Sequence, residues 1–361
     1  MGRVTLGRKD GGPSQPSPRE IAFNPPHLSY IVYAVPLSEK ALISRIRRRA
    51  GRGLGVVTGV GDDCAVLRMP SGHEVLVTTD LTLEGVHFRR EWHAPGVVGR
   101  RCLTRGLSDI AAMGGKPIAA FLSLGLPRRV PQGYVDRFLK GFLGLAGEFE
   151  TPLAGGDIAE SPGGILADIS VVGSVPKGRA VPRSGAKPGD GIYVTGELGG
   201  SAAALAELFA GRKPRPGDYP RHFAPVPRIG VGQFLREKRL ASAMIDLSDG
   251  LSTDLAHICE ESGVGAEILR EAIPRATVGR KLIPVEPIWA LHGGEDYELL
   301  FTAPRGKRIP GRILGVPVTR IGQVTRTRRT VLVSESKRRV EFRAQGWEHF
   351  SQSRAPRQVT S

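Results

Sequence analysis

The chain has 361 residues, 40% of them hydrophobic and 24% charged, with a formal net charge of +16. That length exceeds what one core usually fills, so two domains are expected, and the composition is that of an ordinary globular protein. No apolar run approaches the roughly 20 residues of a membrane span, and three scattered cysteines without a CxxC spacing argue against a zinc site or disulfide framework and suit a cytoplasmic protein.

The first 34 residues are rich in Gly, Pro and Ser and lack periodicity, so they are expected to be a disordered arm or to precede the true start. The pattern begins at PLSEKALISRIRRRA, with Ser38 as N-cap and Leu42, Ile43 and Ile46 on one helical face. GVGDDCAVL then sets Asp62 and Asp63 side by side before an apolar run. EVLVTTD (74–80) reads as a strand ending in an acid, 97–113 as a helix stopped by Gly114 and Gly115, and PIAAFLSLGLP (117–127) as a strand. A helix over 134–148 and a strand over 165–175 follow, then a turn-rich bridge, KGRAVPRSGAKPGD.

A second series opens with the strand DGIYVT and the helix SAAALAELFAG. AMIDLSDG leads into the helix STDLAHICEES, with Ser252 as N-cap and Gly263 as terminator, and ELLFTAP and short strands over 311–343 close the fold. The expected architecture is α/β of the α+β type, with domains at 35–178 and 179–350 and a disordered tail at 351–361.

The acids gather where these segments end. Two carboxylates about 4 Å apart repel by roughly 4 kcal/mol at an effective dielectric near 20. Yet Asp62–Asp63, Asp80, Asp109, Asp157, Asp246 with Asp249, and Glu295, Asp296 and Glu298 mostly adjoin apolar runs and Gly, Ser or Thr. Carboxylates on loops at strand ends suit a hard cation such as Mg²⁺, which bridges carboxylates to substrate phosphates. Asp254 and Glu260–Glu261 read as a solvated helix face, and Asp296 as a cap or brace.

No P-loop and no protein-kinase motif set occurs. GELGGSAAAL puts glycines before a helix N-terminus, a generic anion site. His87, in EGVHF, is undecided between a structural and a functional role. The short basic clusters, among them Arg128–Arg129 and Arg326 with Arg328–Arg329, lack any nucleic-acid-binding pattern and read as a solvated surface able to steer polyphosphates.

GVGDDCAVL, LVTTDLTLEGVHF, LSDIAAMGGKP, GGD, RSGAKPGD, YVTGELGGSAA, IDLSDGLSTDLAHI and GGEDYELLFT follow one another in order. On these motifs, from about residue 36 to 350, the chain resembles the thiamine-monophosphate kinase family. That family lies within an aminoimidazole ribonucleotide synthetase-like superfamily that includes selenophosphate synthetase and a hydrogenase-maturation protein. The resemblance implies a two-domain fold whose N-terminal sheets pair across a homodimer. It implies transfer of the γ-phosphoryl of ATP to thiamine monophosphate, giving thiamine diphosphate. It further implies several Mg²⁺ ions at Asp63, Thr78, Thr79, Asp80, Asp109, Asp157, Asp246 and Asp249. ATP contacts are implied at Gly156, Asp157, Arg183 and Ser248, and substrate contacts at His87, Glu295 and a C-terminal aromatic, Trp347 or Phe350. The rival readings are another ATP-using member of the superfamily with a different substrate, and a basic nucleic-acid-binding protein on the same fold.

Overall fold

The structure, a computed structural model, describes residues 38–347 except 52, 54 and 61–63. The expected arm and tail, the pair Asp62–Asp63 and Phe350 lie outside the described residues. Helix α1 (Glu39–Arg49) starts after Ser38, which holds the N-cap position without a side-chain capping bond. Strands β1 (Val56–Thr58) and β2 (Val66–Leu67) pair with each other.

The first main sheet takes β3 (His73–Leu83), β4 (Lys116–Pro127), β5 (Leu153–Ser161) and β6 (Leu166–Pro176) in the order β3-β6-β4-β5. Helices α2 (Pro95–Ala112) and α3 (Gln132–Glu148) cover one face. They approach closely at glycines: a Cβ on Gly99 would lie 2.0 Å from the Phe138 carbonyl oxygen, and one on Gly141 1.9 Å from that of Gly96. Strand β3 shows why this sheet has one wet and one dry face. Its side chains alternate, so that Val75, Val77 and Leu81 are exposed while Leu76, Thr78, Asp80 and Thr82 turn toward the helices.

The second sheet draws on β7 (Gly191–Thr195), β8 (Ala243–Asp246), β9 (Gly265–Leu269), β12 (Leu299–Ala303), β14 (Val316–Thr325), β15 (Thr330–Val333) and β16 (Arg339–Glu341). Their order is β16-β15-β9-β14-β7-β12-β8, with β13 (Arg312–Ile313) paired to β14. A separate pair joins β10 (Thr277–Val278) to β11 (Ile283–Pro284). The helices of this half are α4 (Gly200–Phe209), α5 (Pro220–Phe223), α6 (Ile229–Glu237), α7 (Leu251–Ser262) and α8 (Pro287–His292). The central strands are buried on both sides, which explains their continuous apolar runs. Tyr193, Met244, Leu299 and Phe301 share the core of α2 and α6, while Ile192, Val194, Ile245 and Leu300 pack with α4, α7 and α8. The two halves therefore share one continuous core.

Three expectations change. β3 runs three residues past Asp80, because the in–out alternation continues to Leu83. Asp109 stands inside α2, one turn before its end, within the helix expected over 97–113, and only its grouping with the strand-end acids changes. Asp157 stands inside β5, an edge strand that its Gly-Gly pair had disguised.

Candidate active site

The inner face of β3, the last turn of α2 and the end of β8 meet at one corner. The Thr78 hydroxyl donates to Asp109. Ser108 on α2 donates to Asp246 at 2.6 Å. Burial raises the Asp80 carboxyl to about 6, with Arg105 opposing and the charges of Asp109 and Asp249 reinforcing the rise. Burial and Asp109 raise Asp246 to about 7. Asp109 is raised as well, by burial, against its bond from Thr78 and the charges of Arg183 and Arg105. A set of buried carboxylates that raise one another's proton affinity lacks positive charge. A hard, oxygen-ligated cation supplies that charge, so the donor set fits Mg²⁺.

Arg105 ties this corner to a second one. Its guanidinium lies 3.6 Å from Asp80 and 3.4 Å from Glu295. Arg101, one turn earlier on α2, holds the other Glu295 oxygen at 2.5 Å. Burial would raise Glu295, but the two arginines outweigh it and hold the carboxyl at about 2. His87 accepts the Leu83 N–H at 3.0 Å and lines a small void with His93, Arg101 and Arg105.

The three acids of GGEDYELL take different hydrogen-bond partners. Glu295 faces the arginines of α2. Asp296 accepts the N–H groups of Gly199 at 2.6 Å and Ser201 at 3.3 Å, and so fills the α4 N-terminus that the sequence offered as an anion site. It is the expected cap, and burial raises it to about 7 despite those bonds. Glu298 is fully buried between Arg221, Arg228 and the Thr195 hydroxyl. Asp254 is also buried, at 1% exposure, where a solvated face was expected. It accepts the N–H groups of Asp249 (3.2 Å) and Gly250 (3.0 Å) and pins the loop that carries Ser248 and Asp249. Gly250, and not Ser252, holds the α7 N-cap position; the Ser252 hydroxyl pairs instead with His292 and the Gln345 N–H. Trp347 follows; its backbone N–H donates to the Asp249 carbonyl at 3.1 Å, and its ring is half-exposed.

Thr79 and Asp157 fall elsewhere in this chain. Register sets Leu81, Asp168, Ser123 and Asp157 in one row across the outer face, with Thr79 two residues before Leu81 on that face. Three strand spacings, about 14 Å, and the thickness of the sheet separate Asp157 from Asp80. Gly156 and Asp157 line a cavity of about 750 Å³ with Ile43, Ile46, Cys64 and Phe121. Arg183 and Ser248 belong to the other corner, where Arg183 acts on Asp109 and Asp246 and the Ser248 carbonyl accepts the Glu295 N–H at 2.8 Å. Asp63 lies outside the described residues.

Sequence reasoning missed Arg101, Arg105, Ser108 and Asp168. The first two had a signal: Arg101, Arg105 and Asp109 recur every four residues and therefore share one face of α2. Asp168, which accepts from Thr79 at 3.3 Å, had only its polar parity within an alternating strand.

Comparison with known proteins agrees with this architecture. Residues 61–175 match the family described as AIR synthase related protein, N-terminal domain, and residues 187–335 match its C-terminal domain. Thiamine-monophosphate kinase of Escherichia coli (strain K12) is 40% identical over 326 residues, covering 87% of this chain and 98% of that protein. The crystal structure of thiamine-monophosphate kinase from Stenotrophomonas maltophilia K279a superposes with a TM-score of 0.72 at 35% identity, over 82% of this chain and 96% of that one. AaThiL complexed with AMPPCP and TMP superposes with a TM-score of 0.68 at 31% identity, over 86% of this chain and 96% of that one. The chain belongs to the AIR synthase related family and, within it, to the thiamine-monophosphate kinases.

Proposed function

We propose that this chain transfers the terminal phosphoryl group of ATP to the phosphate of thiamine monophosphate, releasing ADP and thiamine diphosphate. The convergence of Asp80, Asp109 and Asp246 on one corner, joined through Arg105 to Glu295, carries the reading. The attacking phosphate oxygen is already ionised near neutral pH, so no general base is needed. The obstacle is repulsion between two polyanions, and phosphoryl transfer is governed by positioning and charge neutralisation.

Asp80, Asp109, Asp246 and Asp249 would hold Mg²⁺ at the inner corner, with Thr78 beside them; Thr79, Asp157 and Asp63 complete the set that the family resemblance implies. When bound, the ions neutralise phosphate charge. Arg183 adds a fixed positive charge at the same corner, and Ser248, Gly156 and Asp157 are the further ATP contacts of this reading. Glu295 stays ionised through the physiological range, and in this reading it faces the thiamine. His87 lines the small void that Arg101 and Arg105 also border, and the half-exposed Trp347 ring offers a stacking surface. The apolar outer face of β3, with Val77 at 67% exposure, supports a homodimer in which that face is covered by a second copy. Thr79 and Asp157 lie on this same face. The domains of the reading are 35–178 and 179–350.

Among the described residues no helix is long and apolar enough to cross a membrane, and a cytoplasmic location is part of the proposal. The test is product analysis with ATP and thiamine monophosphate, with and without Mg²⁺. Mg²⁺-dependent formation of ADP and thiamine diphosphate in equal amounts is expected. A folded, ATP-binding chain that yields neither product overturns the substrate assignment and points to another ATP-using member of the superfamily.

A further inference from the structure

His93 precedes α2 and His222 lies on α5, yet their Nε2 atoms meet at 2.9 Å. Both rings are at most 2% exposed. Arg101 extends one nitrogen, Nη1, to both Nε2 atoms (3.2 and 3.1 Å) and the other, Nη2, to Glu295. From this geometry we infer that His93 and His222 are positioning residues for substrate recognition, fixing the guanidinium plane of Arg101 and thereby the Glu295 carboxylate. The inference deepens the proposed function and rests on its reading that Glu295 faces thiamine.

Proton accounting supports it. Two facing Nε2 atoms bond only if one donates and the other accepts, and the Arg101 N–H shares the single lone pair of the acceptor. The outer ring nitrogens close the chain in either direction. His222 Nδ1 lies 2.9 Å from the Ser201 hydroxyl, which can donate or accept. His93 Nδ1 lies 3.2 Å from the Arg89 carbonyl and 3.3 Å from the Arg89 N–H. Both arrangements leave both rings neutral, and a neutral pair offers Arg101 an acceptor without placing a further positive charge beside its guanidinium. The charged groups that act on the rings are Arg101, Glu295 and Glu91. Burial, then Arg101, depresses His93 to about 4 and His222 well below its ordinary value, so the pair is neutral throughout the physiological range.

Glu295 needs such support. Its φ of 63° lies in the left-handed region, which a non-glycine residue keeps only where its surroundings over-determine it. The Ser248 carbonyl holds its N–H, and Arg101 and Arg105 hold its carboxylate. A freely rotating Arg101 would leave Arg105 alone on one oxygen at 3.4 Å. Neither histidine touches the carboxylates assigned to metal, so the relay acts on substrate binding and not on phosphate charge.

The experiment compares wild type, His222→Leu, His222→Gln and His93→Leu, each checked for cooperative melting. Binding of thiamine monophosphate is measured by calorimetry without ATP, and KM and kcat are measured for both substrates. His222→Leu removes the ring donor and acceptor and should raise KM and Kd for thiamine monophosphate about tenfold, with kcat and KM for ATP within about twofold. His222→Gln retains an amide donor and acceptor and should recover most of the loss. A folded His222→Leu with wild-type affinity overturns the relay, as does a uniform loss in both KM values and kcat. Should His222→Leu fail to melt cooperatively, the same selective rise in His93→Leu decides. A wild-type chain that neither binds nor phosphorylates thiamine monophosphate overturns the substrate reading and the relay with it. A wild type that does both, beside an indifferent His222→Leu, overturns the relay alone.

Discussion

The Ser108 hydroxyl on α2 donates to Asp246 at the end of β8 across 2.6 Å, a fully buried bond between residues 138 positions apart. It docks the helix carrying Asp109 against the strand carrying Asp246, and so brings two carboxylates into one corner that local sequence alone would have kept separate. Buried carboxylates that raise one another's proton affinity fit a cation.

Removing a carboxylate there should therefore separate stability from activity. Asp246→Asn should raise the melting temperature of metal-free protein and reduce the gain on adding Mg²⁺, because mutual repulsion is relieved. Asp80→Ala should lose Mg²⁺-dependent turnover by about 100-fold or more, whereas Glu295→Ala should chiefly raise KM for thiamine monophosphate. Melting curves and turnover at several Mg²⁺ concentrations check this; near-wild-type activity of Asp80→Ala at ordinary Mg²⁺ would remove the metal assignment.

Stability should fall in mild acid through His93. Its folded value, about 4, lies below the ordinary 6.5, so the unfolded chain binds the proton more readily. The contribution is fully present above 6.5 and is lost as pH falls toward 4, by about 2 kcal/mol at pH 5. Arg89, Glu91, Arg101, His222 and Glu295 surround the ring and set this window. Urea unfolding at pH 7.5 and pH 5 should show the difference, and His93→Gln should shrink it.

Gly346 allows the C-terminal segment to lie on the Ser248–Asp249 loop. A Cβ there would meet the Asp249 carbonyl oxygen at 1.9 Å. Gly346→Ala should displace Trp347 and raise KM for thiamine monophosphate several-fold, with folding stability lowered by about 1–2 kcal/mol. Steady-state kinetics and thermal melting of the variant test it; an unaltered KM would remove Trp347 from the substrate site.

Glu298 is a structural acid. At 0% exposure it accepts from Arg221, Arg228 and Thr195. Glu298→Gln should destabilise the chain by about 3 kcal/mol, since it leaves two partly buried guanidinium groups without their counter-charge. The folded fraction should keep its Mg²⁺ dependence, measured by activity per folded molecule.

Val77 is exposed at the centre of the outer face of β3. Val77→Asp should reduce the mass measured by light scattering from two chains to one if that face is the dimer contact, without lowering the melting temperature of the monomer. An unchanged mass would move the dimer contact elsewhere.

The sequence by itself determined the inventory: the acids, their Gly- and Ser-rich settings, the order of the motifs, and most strands and helices, because these follow from local periodicity and turn chemistry. Tertiary structure decided the sorting. Thr78 and Asp80 were visibly on one side of a strand and Thr79 on the other, but only pairing with β6 and packing of α2 decided which side is dry. Glu295, Asp296 and Glu298 look alike as a run, yet they end against α2, on the α4 N-terminus and among Arg221 and Arg228. Asp254 read as a solvated helix acid until the loop before its own helix folded back onto it. His93 and His222, 129 residues apart, gave no sign of each other. Periodicity states which residues share a face. What that face meets depends on contacts between distant segments, and those contacts set the burial and the charges that give each acid its task.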